Sequence, residues 1–344
     1  MKNITALARI DSASVPEIIE GEIVSSPRWS QMGGDNVLAL LLADKRSMAT
    51  KRAYYGDIKQ FFGGDPTDDE VKNFLSWPPR EIALKLNRYK GDLIAAQISE
   101  ATINRRLAAI RSLLKFGWKL GLCQTDGRGL VDGEKATSYR DTRGVDLATM
   151  KELLALPAQL HPGVTKRGKV RPSLRALRDT AILRLFCEKA LRRAELCKLD
   201  VADFDERARR IAILGKGRGT QKEFLTISRD CVRDIENYLD VAGHKEGALF
   251  RNLDHRPRVA GARLSADGLY FLVKSYGAEL DIPNLTPHKL RHSAITAALD
   301  ATKGDLRRVK KFSRHKKYET LEIYDDNRAD FAGEVTNLLS GLLK

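Results

Sequence analysis

Several side chains in the second half of the chain are of types suited to handling an anionic oxygen. His288, Arg291 and His292 stand together in PHKLRHS, His315 follows in FSRHKK, and Tyr324 comes nine residues later in ETLEIYDD. Upstream, Arg192 lies in ALRRAEL, three residues before Glu195, and Lys216 sits in LGKGRG. A guanidinium presents a planar, permanently charged fork. An imidazole donates or moves a proton near neutral pH. A phenol with an ordinary pKa of ~10 needs cationic neighbours to become a useful nucleophile. Each residue also has a commoner structural use. An HxxR pair arises by chance in a basic chain, and Arg192 with Glu195 at i, i+3 makes a helix ion pair. A lone tyrosine is more often core or surface, and a lysine in a glycine turn is usually solvated. The combination, its order and its spacing carry the argument.

The elements that must hold these residues are legible in outline. Thr286 caps a helix that Pro287 begins, which puts His288 and Arg291 on one face. Residues 145–156 and 173–199 read as helices, the second carrying Arg192. Residues 210–227 show two short β runs around a glycine-rich turn, a hairpin with Lys216 at its tip. Helices return at 229–242 and 266–280. Phe331, Val335, Leu338, Leu339 and Leu342 fall at helical spacing and predict an amphipathic C-terminal helix.

The first half is helical as well. Ser47 or Thr50 caps one helix, Thr67 and Glu70 form a capping box for the next, and Trp77-Pro78-Pro79 stops it. Ser99 or Thr102 opens a further helix, with Ile103, Leu107, Ile110, Leu113, Leu114 and Trp118 along one side. Arg105, Arg106, Arg111 and Lys115 lie opposite. The predicted organisation is a weakly ordered extension at 1–35, a helical domain at 36–125, a Gly-, Asp-, Ser- and Thr-rich linker at 126–144, and a second, mostly helical domain at 145–344.

Composition bounds the function. The 344 residues carry 60 Lys and Arg against 45 Asp and Glu, a formal net charge of +15. That surplus calls for a polyanionic partner, nucleic acid first and an anionic membrane surface second. No apolar run approaches the ~20 residues of a membrane span, and the N-terminus lacks a secretory apolar region. Cys123, Cys187, Cys197 and Cys231 form no CxxC pair and no zinc-ligand spacing, so no metal is expected and a reducing cytoplasm fits. The GKGRG at 215–219 lacks Walker spacing, so no nucleotide is expected.

Taken together, these motifs resemble the tyrosine site-specific recombinases, the family of phage integrases, Xer recombinases and Cre, from about residue 40 to the C-terminus. The family's first arginine and its accompanying acid match Arg192 and Glu195, and its β-hairpin lysine matches Lys216. Arg218 and Lys222 are rivals for that place, and the GKG context favours Lys216. The HxLRH box is present as HKLRH, giving His288 and Arg291. The later histidine and the tyrosine, nine apart, fall on His315 and Tyr324. The sequence departs from the usual pattern in Ala190 and Arg314, which stand where the family usually has glycine. Asp325 and Asp326 directly follow the tyrosine.

The resemblance implies a mainly α fold: a two-domain DNA clamp of a helical core-binding domain and a mostly helical catalytic domain with a small β-hairpin sheet. It implies Tyr324 as nucleophile, Arg192 and Arg291 on the phosphoryl oxygens, and His288 and His315 as hydrogen-bond donors or proton movers. Lys216 would be the general acid and Glu195 a supporting residue. The product would be a 3′-phosphotyrosyl intermediate, rejoined without ATP or metal, with strands exchanged through a Holliday junction. The expected partner is double-stranded DNA with an inverted-repeat core site, bound by a tetramer whose C-terminal helices dock in trans. The cytoplasm, at the nucleoid, is the expected location. Residues 303–317 carry eight basic residues and one acid. Arg307, Arg308, Lys310, Lys311, Arg314 and Lys316 within it, with Arg105, Arg106, Arg111 and Lys115, are the expected DNA contacts. A type IB topoisomerase and an inactive DNA-binding regulator are the rival readings.

Overall fold

The computed structural model describes residues 33–135, 144–164, 170–215, 221–253, 261–322, 324 and 331–343. It is mainly helical with two small antiparallel sheets, the expected class. The chain divides into two compact units, Met1–Tyr139 and Arg140–Lys344. Among the described residues no helix is long and apolar enough to cross a membrane.

The first unit contains α1 (Val37–Ala43), α2 (Met48–Phe62), α3 (Asp68–Ser76), α4 (Pro79–Ala95) and α5 (Glu100–Lys119). The expected capping box opens α3. The Thr67 hydroxyl accepts from the Glu70 N–H at 3.2 Å, and the Glu70 carboxylate accepts from the Thr67 N–H at 2.7 Å. Asp68 then accepts from the Val37 N–H at 2.9 Å and ties α1 to α3. The apolar stripe of α5 supplies much of the core, where Ile103, Leu107, Ile110, Leu113 and Leu114 are almost wholly buried. The segment after α5 does not behave as the start of a linker. Val131 is buried, and its carbonyl accepts from Arg111. Asn104 exchanges two 2.8 Å bonds with the Glu134 backbone, and Lys90 pairs with the Glu134 carboxylate at 2.6 Å. These bonds fasten the segment to α4 and α5, because paired backbone groups here replace water.

The second unit runs α6 (Leu147–Leu160), a β1–β2 hairpin (Pro162–Val164 and Val170–Pro172), α7 (Leu174–Lys189) and α8 (Arg193–Cys197). A three-stranded antiparallel sheet follows, ordered β3 (Phe204–Asp205), β4 (Arg210–Ile213), β5 (Glu223–Thr226). Strands β4 and β5 are the expected hairpin, with Ile211 opposite Leu225. Then come α9 (Arg229–Ala242), α10 (Ala266–Glu279), α11 (Pro287–Ala301), α12 (Leu306–Ser313), α13 (Glu319–Glu322) and α14 (Phe331–Leu342). Helix α7 is central, packed on α6, α9 and α11. Its Ala181, Ile182, Leu183, Leu185 and Phe186 are all fully buried, so its sequence lacks a polar face over that stretch. A second, smaller cluster lies apart from this main core: Ala190, Ala294, Ile295, Leu299, Val309, Leu321 and Tyr324. It joins the end of α7 to α11, α12 and α13.

Thr286 caps α11, its hydroxyl accepting from the Lys289 N–H at 3.2 Å, with Pro287 in the first turn as expected. Gly144 passes so close to this helix that an added Cβ would lie 2.5 Å from the Ser293 hydroxyl, and the Val145 N–H donates to that hydroxyl at 2.7 Å. Both contacts hold the start of the unit against the helix that carries His288 and Arg291.

Candidate active site

The site is organised by a break in the helix expected over 173–199. Helix α7 ends at Lys189, Ala190 is left-handed (φ 47°, ψ 41°), and the chain restarts with Arg192 at the N-cap position of α8. A non-glycine residue in that conformation costs roughly 1–3 kcal/mol. The turn exposes the last carbonyls of α7, which no intrahelical N–H reaches. Distant arginines fill the vacancy. The Ala190 carbonyl accepts from Arg291 Nη1 and, at 3.0 Å, from Arg314 Nη2. The Lys189 carbonyl accepts from Arg314 Nη1 at 3.2 Å. Arg314 is itself left-handed, at φ 60°. Ala190 and Arg314, the two departures from the glycines of the family that the sequence resembles, are thus both positions of positive φ.

Glu195 is the anionic centre of the cluster and is 2% exposed. Its Oε1 lies 2.7 Å from Arg192 Nη1, while Oε2 accepts from the Arg192 N–H at 2.9 Å and from Arg314 Nη2 at 3.0 Å. Burial pushes this carboxyl up, but Arg314 and the Arg192 N–H and guanidinium outweigh it and hold the pKa below the usual range. Arg291, also buried, donates from Nη2 to the Ser313 carbonyl at 2.6 Å and to His315 Nε2 at 3.2 Å. Burial, with Arg192 and Arg314 nearby, pulls its pKa down to about 10, still charged at neutral pH.

Because Arg291 can only donate, His315 Nε2 is the acceptor and Nδ1 carries the proton. That Nδ1 is buried with no hydrogen-bond partner among the described residues. Burial first, then Arg291, Arg192, Arg314 and His288, push the imidazole down to about 4 from an ordinary 6.5, so it is neutral at pH 7. The unfolded chain takes up this proton near pH 6.5 and the folded one only near pH 4. Folding stability therefore falls as pH drops through that window and is regained above it. Between pH 7 and pH 5 the wild type is expected to lose more melting temperature than His315→Gln, measured by calorimetry; equal losses would contradict the depressed pKa.

Tyr324 sits on this floor, 6% exposed, in the smaller cluster. Its ring centroid lies 4.5 Å from that of His292 and 5.2 Å from that of His315. Its carbonyl accepts from the Thr296 hydroxyl at 3.2 Å. His292 stands among the candidate side chains in PHKLRHS without an assigned role, and Thr296 is not among them. Their spacing offered a signal, since His288, His292 and Thr296 recur every four residues along one face of α11. His288 is exposed in the first turn of that helix. Lys216, Arg218, Asp325 and Asp326 lie outside the described residues. Lys222 does not offer an unengaged amine, because it pairs with the buried Asp203 carboxylate.

The structure sorts the expected DNA contacts. Arg307, Arg308, Lys311 and Lys316 are exposed, Arg308 pairing with Asp305 at 3.1 Å, and Lys310 lies over the Tyr318 ring at 3.7 Å. Arg314 faces inward instead: its side chain is 4% exposed, because the α7 carbonyls and Glu195 bind it. In the first unit, Lys115 is exposed. Arg105 is half-exposed and bound to the buried Asp57 at 2.8 Å, and Arg106 lies beside Tyr89. Arg111 is turned to the Val131 carbonyl and works within its own unit.

Residues 168–330, which span Arg192, Glu195, Arg291, His315 and Tyr324, match the phage integrase family. A tyrosine recombinase of Synechococcus elongatus is 42% identical over 315 residues, which cover 90% of this chain and 94% of that protein. The chain belongs to the tyrosine recombinase family. A second tyrosine recombinase, from Synechocystis sp., is 40% identical over 316 residues, covering 90% of the present recombinase and 96% of its relative. The fold of this recombinase is shared with XerH, a site-specific recombinase solved with its palindromic difH substrate in a post-cleavage complex. The TM-score is 0.60 at 15% identity, covering 91% of this chain and 93% of XerH.

Proposed function

We propose that this tyrosine recombinase is site-specific and cleaves double-stranded DNA through Tyr324, rejoining it after exchange with a second site. The observation that carries the reading is the gathering of Arg192, Arg291 and His315 around the break at Ala190, with the His315 ring against that of Tyr324. The Tyr324 oxygen attacks the phosphorus, and the bond to the 5′ oxygen breaks. A 3′-phosphotyrosyl ester and a free 5′-hydroxyl result. Negative charge that builds on the phosphoryl oxygens is met by Arg192, which is the more exposed of the two forks, and by Arg291 behind it. Neutral His315 contributes its Nδ1–H as a hydrogen-bond donor. His288, exposed in the first turn of α11, is the imidazole that takes the phenolic proton. Lys216 gives a proton to the leaving 5′ oxygen; the engagement of Lys222 with Asp203 favours Lys216 for that role. Glu195 holds Arg192 in register. The ester conserves bond energy, so the free hydroxyl of a partner strand reverses the step and yields a Holliday junction.

The domains at 36–125 and 145–344 both bind the duplex, and four protomers join two inverted-repeat sites. Support for docking in trans comes from α14, whose Leu338, Leu339 and Leu342 are 68%, 53% and 82% exposed. A helix with that much uncovered apolar surface gains most from a groove on a neighbouring copy. Integration, excision and dimer resolution all use this chemistry.

The test incubates the full chain with sheared genomic DNA, stops the reaction in SDS, sequences the attached fragments and maps the modified peptide by mass. Adducts on Tyr324 enriched for one inverted-repeat sequence are expected. Adducts scattered over sequence would favour a topoisomerase, and salt-sensitive binding without any adduct would favour a regulator.

A further inference from the structure

Arg314 stands within a run of exposed basic residues, yet its guanidinium is buried. Its donors reach Lys189 and Phe312 carbonyls through Nη1, at 3.2 and 3.1 Å, and the Ala190 carbonyl and Glu195 Oε2 through Nη2, both at 3.0 Å. Glycine would satisfy the left-handed backbone at this position without strain. An arginine there holds its place despite the φ of 60°, a buried Nε–H with no hydrogen-bond partner among the described residues, and the proximity of two other guanidinium groups. What it does is local and specific. Glu195 faces Arg192 through Oε1 and Arg314 through Oε2, so the carboxylate is shared and Arg192 is not wholly neutralised by it. The Ala190 carbonyl is likewise shared between Arg314 and Arg291. One side chain therefore bears on both phosphate-directed arginines, and its own backbone leads directly into His315.

We propose that Arg314 is a positioning residue for strand cleavage: it divides Glu195 and the Ala190 carbonyl with Arg192 and Arg291, and so fixes their placement and preserves the positive charge they offer to the phosphate. The assignment rests on the proposed role of Tyr324 as nucleophile. It concerns the cleavage step and leaves the DNA contacts of the exposed basic residues unaltered.

The test uses the full chain and nicked duplexes carrying the sequence recovered from wild-type adducts, with single-turnover cleavage and equilibrium DNA binding measured separately. Arg314→Gly is expected to cleave about 10- to 100-fold more slowly, the scale of a misplaced catalytic group, with DNA affinity within about three-fold of wild type. Arg314→Lys, which keeps the charge beside Glu195 and loses the fork, is expected to recover part of that loss. In a Glu195→Gln background the carboxylate charge is gone while the Ala190 carbonyl remains, and Arg314→Gly should then slow cleavage by several-fold less than it does beside Glu195, the signature of coupled residues. Cleavage by Arg314→Gly at the wild-type rate, equal losses in both Glu195 backgrounds, or affinity falling in step with rate would each overturn the assignment. Should Arg314→Gly not fold, Arg314→Lys in the two backgrounds decides by the same criterion. A wild-type chain without a Tyr324-dependent adduct would overturn both the assignment and the nucleophile, whereas an adduct with unchanged Arg314→Gly kinetics would overturn the assignment alone.

Discussion

Arg291→Ala is expected to lower strand cleavage by roughly a thousand-fold or more and to destabilise the second unit as well. The guanidinium supplies donors to the Ala190 and Ser313 carbonyls and to His315 Nε2. The Ala190 carbonyl keeps its bond from Arg314, whereas the buried Ser313 carbonyl loses its donor, and a buried acceptor so stripped costs roughly 1–3 kcal/mol. Loss of a charge held near Arg192 and Arg314 offsets part of this, which leaves a net loss of roughly 1–2 kcal/mol. Thermal melting should fall by several degrees, at roughly 2–4 °C per kcal/mol for a domain of this size. The kinetic part reflects loss of a preorganised donor, itself worth roughly a hundred- to a thousand-fold, compounded by release of His315. Arg291→Lys separates the two effects: one ammonium can satisfy one carbonyl and keep the charge, yet cannot span all three acceptors. It is expected to melt between wild type and Arg291→Ala while cleaving nearer to the alanine variant. A lysine variant cleaving at the wild-type rate would show that the geometry of the fork is dispensable.

Tyr324→Phe is expected to abolish the SDS-stable DNA adduct, a loss of roughly ten-thousand-fold or more, because phenylalanine has no nucleophilic atom. The fold should tolerate the change. The ring stays against His292 and His315, and the bond from Thr296 goes to the backbone carbonyl, which the substitution leaves in place. Melting should shift by no more than about 2 °C, and DNA affinity should stay within about two-fold. Residual adduct would redirect the search to another phenol, with Tyr318, half-exposed beneath Lys310, the first to examine.

The parts of this molecule that sequence discloses are those governed by local rules. Thr67 with Glu70, and Thr286 with Pro287, announce helix starts because a side-chain cap and a missing N–H act within one turn. The β4–β5 pair is likewise local. The break at Ala190 was not legible, since CEKALRRAEL is made of good helix formers. Its cause lies far away, in arginines whose bonds to the α7 carbonyls outweigh propensity. The inward turn of Arg314 was hidden for a related reason. A run of basic residues reads as one solvated face, and only the left-handed backbone at its C-cap swings this one side chain under the site. The place of His292 and Thr296 against Tyr324 was not legible because it is a fact of tertiary packing. The motif order did bring Arg192, Glu195, Arg291, His315 and Tyr324 to the fore, and these are the residues found together.

The carbonyl of Ala190 also sets a schedule. Its two partners lie 101 and 124 residues further along the chain, and Glu195 waits 119 residues for Arg314. On a ribosome adding roughly 5–20 residues per second, α7 emerges several seconds before any guanidinium exists to close its end. A nascent or truncated chain can therefore bury its main core and still lack the cationic floor on which Tyr324 rests. The floor is complete only once Arg314 and His315 have been made.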